Sequence, residues 1–238
     1  MILQHRVSSD LLEPDFSELY RYAGITDASL IDDNTKNLAE DAASQVRSLM
    51  NCRSVYIKFP LTISELLTSA SSASSAAPAD NEAQSFDAAP ATDSRQKKLI
   101  QFGGHKLESY YLALNLKDCH EVILFAATLG PEVDRAIQKA SRINAAKSVM
   151  LQAAGAMFIE RYCDYLQDFF RTEELKSGNI LCPRFSPGYG DIPLTVQKTF
   201  FEILQCQKNL ALTLNDSLIM SPEKSVTAFI GIKKQELV

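Results

Sequence analysis

Glu121-Val122-Ile123-Leu124-Phe125-Ala126-Ala127-Thr128 is a nearly unbroken apolar run closed by Gly130-Pro131. It is short enough for a strand, and a continuous rather than alternating apolar pattern marks a strand buried in the middle of a sheet. Working outward, Ser54-Val55-Tyr56-Ile57-Lys58-Phe59 alternates as a strand, and Leu38, Ala42, Ala43, Val46, Leu49 and Met50 recur at helical spacing in Asp33 to Met50 before it. Lys98-Leu99-Ile100-Gln101-Phe102 followed by Gly103-Gly104 predicts a strand ending in a turn, and Leu107 to Leu116 a short helix. Near the C-terminus, Ser217 to Pro222 and Ser225 to Ile232 read as two strands joined by a turn at Pro222-Glu223-Lys224. Strands and helices mix without regular βαβ alternation, and neither phosphate-binding glycine signature, G-x-G-x-x-G or G-x-x-x-x-G-K-[ST], occurs. The expectation is an α+β fold with a mainly antiparallel sheet, rather than a doubly wound one.

Pro131 to about Phe170 predicts one or two long helices, opened by a proline and the acidic first-turn residues Glu132 and Asp134. Leu151, Ala154, Phe158, Tyr162, Tyr165 and Phe169 form a large apolar stripe, and Val149, Ala153, Ala156, Met157, Glu160 and Cys163 a second face of mainly small residues. Both faces read as buried, which makes Glu160 conspicuous: a buried carboxylate needs a partner or a ligand. A surface glutamate paired with a neighbouring Lys or Arg fits the periodicity as well. Thr195 to about Cys206 predicts an amphipathic helix with Val196, Phe200, Ile203 and Leu204 inward.

The 238 residues carry a net charge of −5, which argues against a general nucleic-acid surface, and no apolar run reaches the length of a membrane span. The N-terminus lacks a signal-peptide layout, so a cytoplasmic protein is expected. One domain over 1–238 is expected, interrupted by Thr68 to Arg95, an Ala/Ser-rich stretch whose one large apolar side chain, Phe86, is too little to order it. The five cysteines are scattered and lack C-x-x-C spacing, and with three histidines a His-rich metal centre is not expected; reduced, mostly buried thiols are.

Leu181-Cys182-Pro183-Arg184-Phe185-Ser186-Pro187-Gly188-Tyr189-Gly190-Asp191-Ile192-Pro193-Leu194 packs three prolines and two glycines around one arginine and one tyrosine. Such a loop can hold Arg184 and Tyr189 in one rigid relation, suited to an anionic, partly apolar small ligand. It also fits a plain turn whose arginine satisfies nearby carbonyls.

In order, Arg184-x-Ser186-Pro187-Gly188-Tyr189, Pro193-Leu194 opening a helix, and Leu214-x-x-Ser217-x-x-Met220-x-Pro222-x-x-Ser225-Val226 resemble the activation domain of cobalamin-dependent methionine synthase, in particular its small free-standing forms. The likeness runs from Tyr20-Arg21-Tyr22-Ala23-Gly24 through Thr128-Leu129-Gly130 to Ile232, with Thr68 to Arg95 as an extra. The resemblance implies a C-shaped, mainly antiparallel twisted sheet with flanking helices and a shallow S-adenosylmethionine site. It implies that Arg184 holds the ligand's carboxylate, that the backbone at Ser186 and Gly188 approaches it, that Tyr189 lies near the sulfonium and that Glu160 supplies a carboxylate. It further implies that the methyl group restores cobalamin carried on a partner methionine synthase or methyltransferase chain, with flavodoxin as electron donor. Transfer from a sulfonium needs positioning rather than acid or base, which accords with the absence of a hydrolytic triad motif. The sequence departs from the long synthases at Phe185 and Gly190-Asp191, has no secure match to their N-terminal acidic residue, and ends at Val238 where their C-terminal tyrosine is expected. An alternative from another class is a docking module that regulates a corrinoid protein without binding S-adenosylmethionine; a third is an enzyme acting on another adenosyl or amino-acid ligand.

Overall fold

The computed structural model describes residues 1–27, 29, 31–66 and 96–235. The reading of Thr68 to Arg95 as an insertion lies outside these residues. Among those described, the main sheet is antiparallel throughout and runs β4-β3-β2-β5-β9-β6, with β1 on β2. Its strands are β1 (Leu3–Arg6), β2 (Arg53–Glu65), β3 (Lys98–Phe102), β4 (His105–Ser109), β5 (Glu121–Thr128), β6 (Asn179–Leu181) and β9 (Ser225–Lys234); β7 (Thr213–Leu214) and β8 (Met220–Ser221) pair separately.

The unbroken apolar run is the middle strand, β5, between β2 and β9. Because strand side chains alternate, its residues serve two cores. Ile123, Phe125 and Ala127 join the core under α1 (Phe16–Tyr22), α2 (Asp33–Leu49), α4 (Pro131–Ser141) and α5 (Ala145–Leu175). Val122, Leu124 and Ala126 face the other way, toward α3 (Tyr111–Asn115), α6 (Gln197–Ile203) and α7 (Cys206–Leu210). An antiparallel strand thus has the composition of a parallel one, because helices cover both faces. β2 passes from β5 to β3 at Pro60–Leu61, where proline ends one ladder without leaving an N–H unpaired.

Helix starts follow their caps: the Asp15 carboxylate accepts from the Ser17 and Glu18 amides, Asp32 from Thr35, and Asn144 from Lys147. Asn144 separates α4 from α5, so Pro131 to Phe170 is two helices, the second extending to Leu175. No helix among the described residues is long and apolar enough to cross a membrane.

Four expectations are corrected. Leu107 to Leu116 is not one helix: Gly103 and Gly104, at φ of 53° and 83°, make a tight hairpin turn that carries the chain into β4, and only Tyr111–Asn115 is helical. The Thr195 to Cys206 helix is broken by Gln205 in the left-handed region, φ 49°, into α6 and α7, although Phe200 and Leu204 are buried as expected. Ser217 to Pro222 contributes a strand of only Met220–Ser221, because Leu218 sits at φ 62° and turns the chain. Val149, assigned to a buried face of α5, is 50% exposed.

Candidate functional site

The loop after β6 stays attached to the sheet. Phe185 forms an isolated antiparallel bridge with Phe229 of β9, its N–H donating to the Phe229 carbonyl at 2.9 Å and its carbonyl accepting at 2.8 Å. Phe185 packs on the core under α6, so by alternation its neighbour Arg184 points to the opposite face, toward α5. There the Arg184 Nη1 donates to Asp164 Oδ1 at 2.8 Å and Gln167 Oε1 at 3.1 Å, and Nη2 to Glu160 Oε2 at 3.1 Å. Glu160, Asp164 and Gln167 are four and three residues apart on one helix, which brings their side chains to a single face.

Burial opposes the charge on Arg184, yet the adjacent Asp164 and Glu160 carboxylates outweigh it and its pKa is raised, so the guanidinium stays charged. Behind it, burial pushes the Cys163 thiol up and keeps it neutral. The Glu160 side chain is 45% exposed, which corrects the reading of it as buried: helix periodicity places it beside small residues, but it stands at the edge of a cleft.

That cleft holds about 440 Å³ and is lined by Glu160, Asp164, Arg184, Ser186 and Tyr189 together with Gln167, Pro183, Phe185 and Val226. Its volume is in the range of small-molecule sites. Tyr189 is 70% exposed, an aromatic ring at the rim. Four of the five residues singled out in the sequence therefore meet at one cleft. Gly188 is not among its lining residues; at φ 91° it shapes the turn, its N–H donates to the Ile192 carbonyl, and a Cβ there would stand 3.2 Å from Leu194 Cδ1.

Sequence reasoning missed Asp164 and Gln167, although their spacing from Glu160 was the available signal. It also missed the function of Asp191. The Asp191 Oδ1 accepts from the Ser109 hydroxyl at 2.5 Å and the Tyr111 amide at 3.3 Å, and Oδ2 from the Tyr110 amide at 2.7 Å. The Ser109 hydroxyl in turn accepts from the Leu112 amide at 2.9 Å, so Asp191 and Ser109 together cap α3 and anchor the far end of the loop. Burial works against ionisation of Asp191, but these donors outweigh it and hold the carboxyl below the usual range. On the other side of the Glu160–Arg184 pair, Asp15, Glu18, Arg21 and Tyr22 share a smaller cavity of about 270 Å³ with Glu160, Asp164 and Arg184. α1 thus brings acidic residues near the cluster, a placement that sequence spacing does not reveal.

No curated protein matches the sequence. Among solved structures, the fold is similar to the MetH reactivation domain in its crystal structure bound to AdoHcy, at 16% identity and a TM-score of 0.62, with 100% of this chain and 80% of that one covered. That likeness bears out the α+β, mainly antiparallel fold. The family model described as vitamin B12 dependent methionine synthase, activation domain, matches residues 18–236. With a match that runs from α1 to the end of β9, the chain belongs to the family of vitamin B12-dependent methionine synthase activation domains.

Proposed function

We propose that the cleft binds S-adenosylmethionine and presents its methyl group to cobalamin carried by a partner methionine synthase or related methyltransferase chain. The observation that carries this reading is the Arg184–Glu160 pair at 3.1 Å beside an open cleft rimmed by Tyr189. The amino-acid end of the ligand bears one carboxylate and one ammonium. Inserted between Arg184 and Glu160, it re-pairs both: carboxylate on guanidinium, ammonium on Glu160. The exchange conserves charge, so neither protein group is left unpaired, and Asp164 and Gln167 keep the guanidinium oriented while Glu160 changes partner. The family and the AdoHcy-bound neighbour support a ligand of this class.

The roles of the loop residues follow. Tyr189 places an electron-rich ring where a sulfonium can lie against it. Ser186 lines the cleft, and Gly188 keeps the turn that positions Ser186 and Tyr189. S-adenosylmethionine supplies an activated methyl group and the partner's cobalamin, reduced by a flavodoxin-type donor, accepts it. This chain's contribution is to bind and orient; no proton has to move.

Isothermal titration tests the reading. S-adenosylmethionine binds the unmutated chain, and Arg184→Ala weakens binding by roughly 1.5–3 kcal/mol, the scale of a charge-assisted hydrogen bond. Absence of binding by the unmutated chain, with a corrinoid partner present, overturns it.

One observation favours the alternative: Arg184 is already satisfied by three side chains of its own chain. A regulatory module that docks on a corrinoid protein needs no exchange of those partners. Capture of a corrinoid protein that is insensitive to Arg184→Ala, without S-adenosylmethionine binding, supports that second reading.

A further inference from the structure

The loop that carries Arg184 begins at a chemically separate feature. Cys119 and Cys182 are 63 positions apart, and their sulfurs lie 3.4 Å from one another. The sheet register brings them together: Glu121 of β5 and Leu181 of β6 pair with the same residue, Ile232, from opposite sides of β9. Between them runs Gly231, whose backbone is outside the left-handed region and has no conformational need for glycine. A Cβ there would stand 2.6 Å from Cys119 Sγ and 3.4 Å from Cys182 Cβ, so the missing side chain is what lets the two cysteines approach.

Cys182 is buried, at 6% exposure, as the remaining three cysteines are; what sets it apart is the Cys119 sulfur 3.4 Å away. Cys52, Cys163 and Cys206 are buried, and burial pushes the thiols of Cys52 and Cys206 up to about 12. Cys119 is partly exposed, so small solutes reach the two sulfurs from the Cys119 side. The two sulfurs share a hydrogen bond in which either can donate; that contact, helped by Lys233 against burial, lowers the pKa of Cys182 and raises that of Cys119.

We propose that Cys119 and Cys182 form a redox-active dithiol that closes to a disulfide with hydrogen peroxide and pins the root of the cleft loop to the turn before β5. The Cys182 thiolate attacks one peroxide oxygen, the O–O bond breaks, and the departing hydroxide takes a proton to become water, leaving a Cys182 sulfenic acid. The Cys119 sulfur then attacks Cys182 Sγ; the S–S bond forms, the S–O bond breaks, and hydroxide leaves with the Cys119 proton as a second water. Two thiols lose two electrons and one peroxide becomes two waters. Bonding near 2.05 Å requires the sulfurs to close by roughly 1.4 Å from their 3.4 Å separation. Pro183 and Arg184 follow Cys182 directly, and Asn115 Nδ2 already donates to the Pro183 carbonyl at 3.3 Å, so the cross-link stiffens the segment that presents Arg184. The dithiol is independent of what the cleft binds.

The test is peroxide treatment of the folded chain, blocking of free thiols, digestion and mass spectrometry. The expected product is a single cross-linked peptide joining Cys119 to Cys182, reversed by dithiothreitol, with Cys52, Cys163 and Cys206 blocked only after unfolding. The cross-link also raises the melting temperature by several degrees, because it closes a long loop. In Cys119→Ser the melting shift disappears and a Cys182 sulfenic acid is trapped by dimedone. Thiols at both positions after treatment, over-oxidation of Cys182 with Cys119 untouched, or a disulfide to any other cysteine overturns the proposal.

Discussion

The two ends of the Cys182 to Leu194 loop are each held by one ionised residue with three partners, but the partners differ in kind. Arg184 is held entirely by side chains of α5, at a cleft edge where Glu160 and Asp164 are about half exposed. Asp191 is held by two main-chain amides and the hydroxyl that caps α3. Side-chain partners can rotate and hand Arg184 to a ligand; amides fixed at a helix start cannot. The Asp191 side chain is therefore an anchor and the Arg184 side chain an exchange point, and because the Phe185–Phe229 bridge holds the backbone beside Arg184, side chains can change partner without the loop refolding.

Removing the anchor has the largest expected effect on stability. Asp191→Ala leaves the α3 amides without their acceptor and lowers stability by about 2 kcal/mol, measured by denaturant unfolding. Asp164→Ala at the other end costs under about 1 kcal/mol, as expected of a half-exposed ion pair; equal losses at both ends break the contrast. Next in size, Glu160→Gln weakens S-adenosylmethionine binding roughly tenfold by calorimetry, with little change in melting, because the ammonium loses its charged partner. An unchanged affinity removes Glu160 from the site. Tyr189→Ala weakens the same binding by about 0.5–1 kcal/mol, the scale of an exposed cation–π contact.

The smallest effect sharpens the contrast by pH. The carboxyl of Asp191 is lowered in the folded chain, so its contribution is complete above the ordinary carboxylate pKa of about 4 and is lost as pH falls through the folded value. The stability gap between the unmutated chain and Asp191→Asn is expected to be constant at neutral pH and to close in acid. A gap that widens in acid has the wrong sign for an ionised anchor.

Much of this was legible in the sequence, for identifiable reasons. β5 and the α4–α5 pair show themselves because long apolar periodicity survives any tertiary context, and the Arg184–Tyr189 loop because proline and glycine punctuate it. β4 did not, because Gly103-Gly104 reads as an ending when it is a hairpin turn, and Leu107 then fits a helix as well as a strand. Asp164 and Gln167 were within reach from their spacing to Glu160, but the face they share acquires meaning only when Arg184 arrives from across the sheet edge. The Cys119–Cys182 contact was beyond reach: it depends on two strands pairing with Ile232 from opposite sides, and nothing local to either cysteine records that.

The central claim is that the ligand's zwitterion takes over the Arg184–Glu160 pair, and the most direct measurement compares the affinity of the unmutated chain for S-adenosylhomocysteine and for methylthioadenosine, two neutral thioethers of which the second lacks the carboxylate and the ammonium. The account predicts binding of the first and a loss of at least roughly tenfold for the second, a loss that largely disappears in Arg184→Ala. Equal affinities, or a preference for methylthioadenosine, would contradict it.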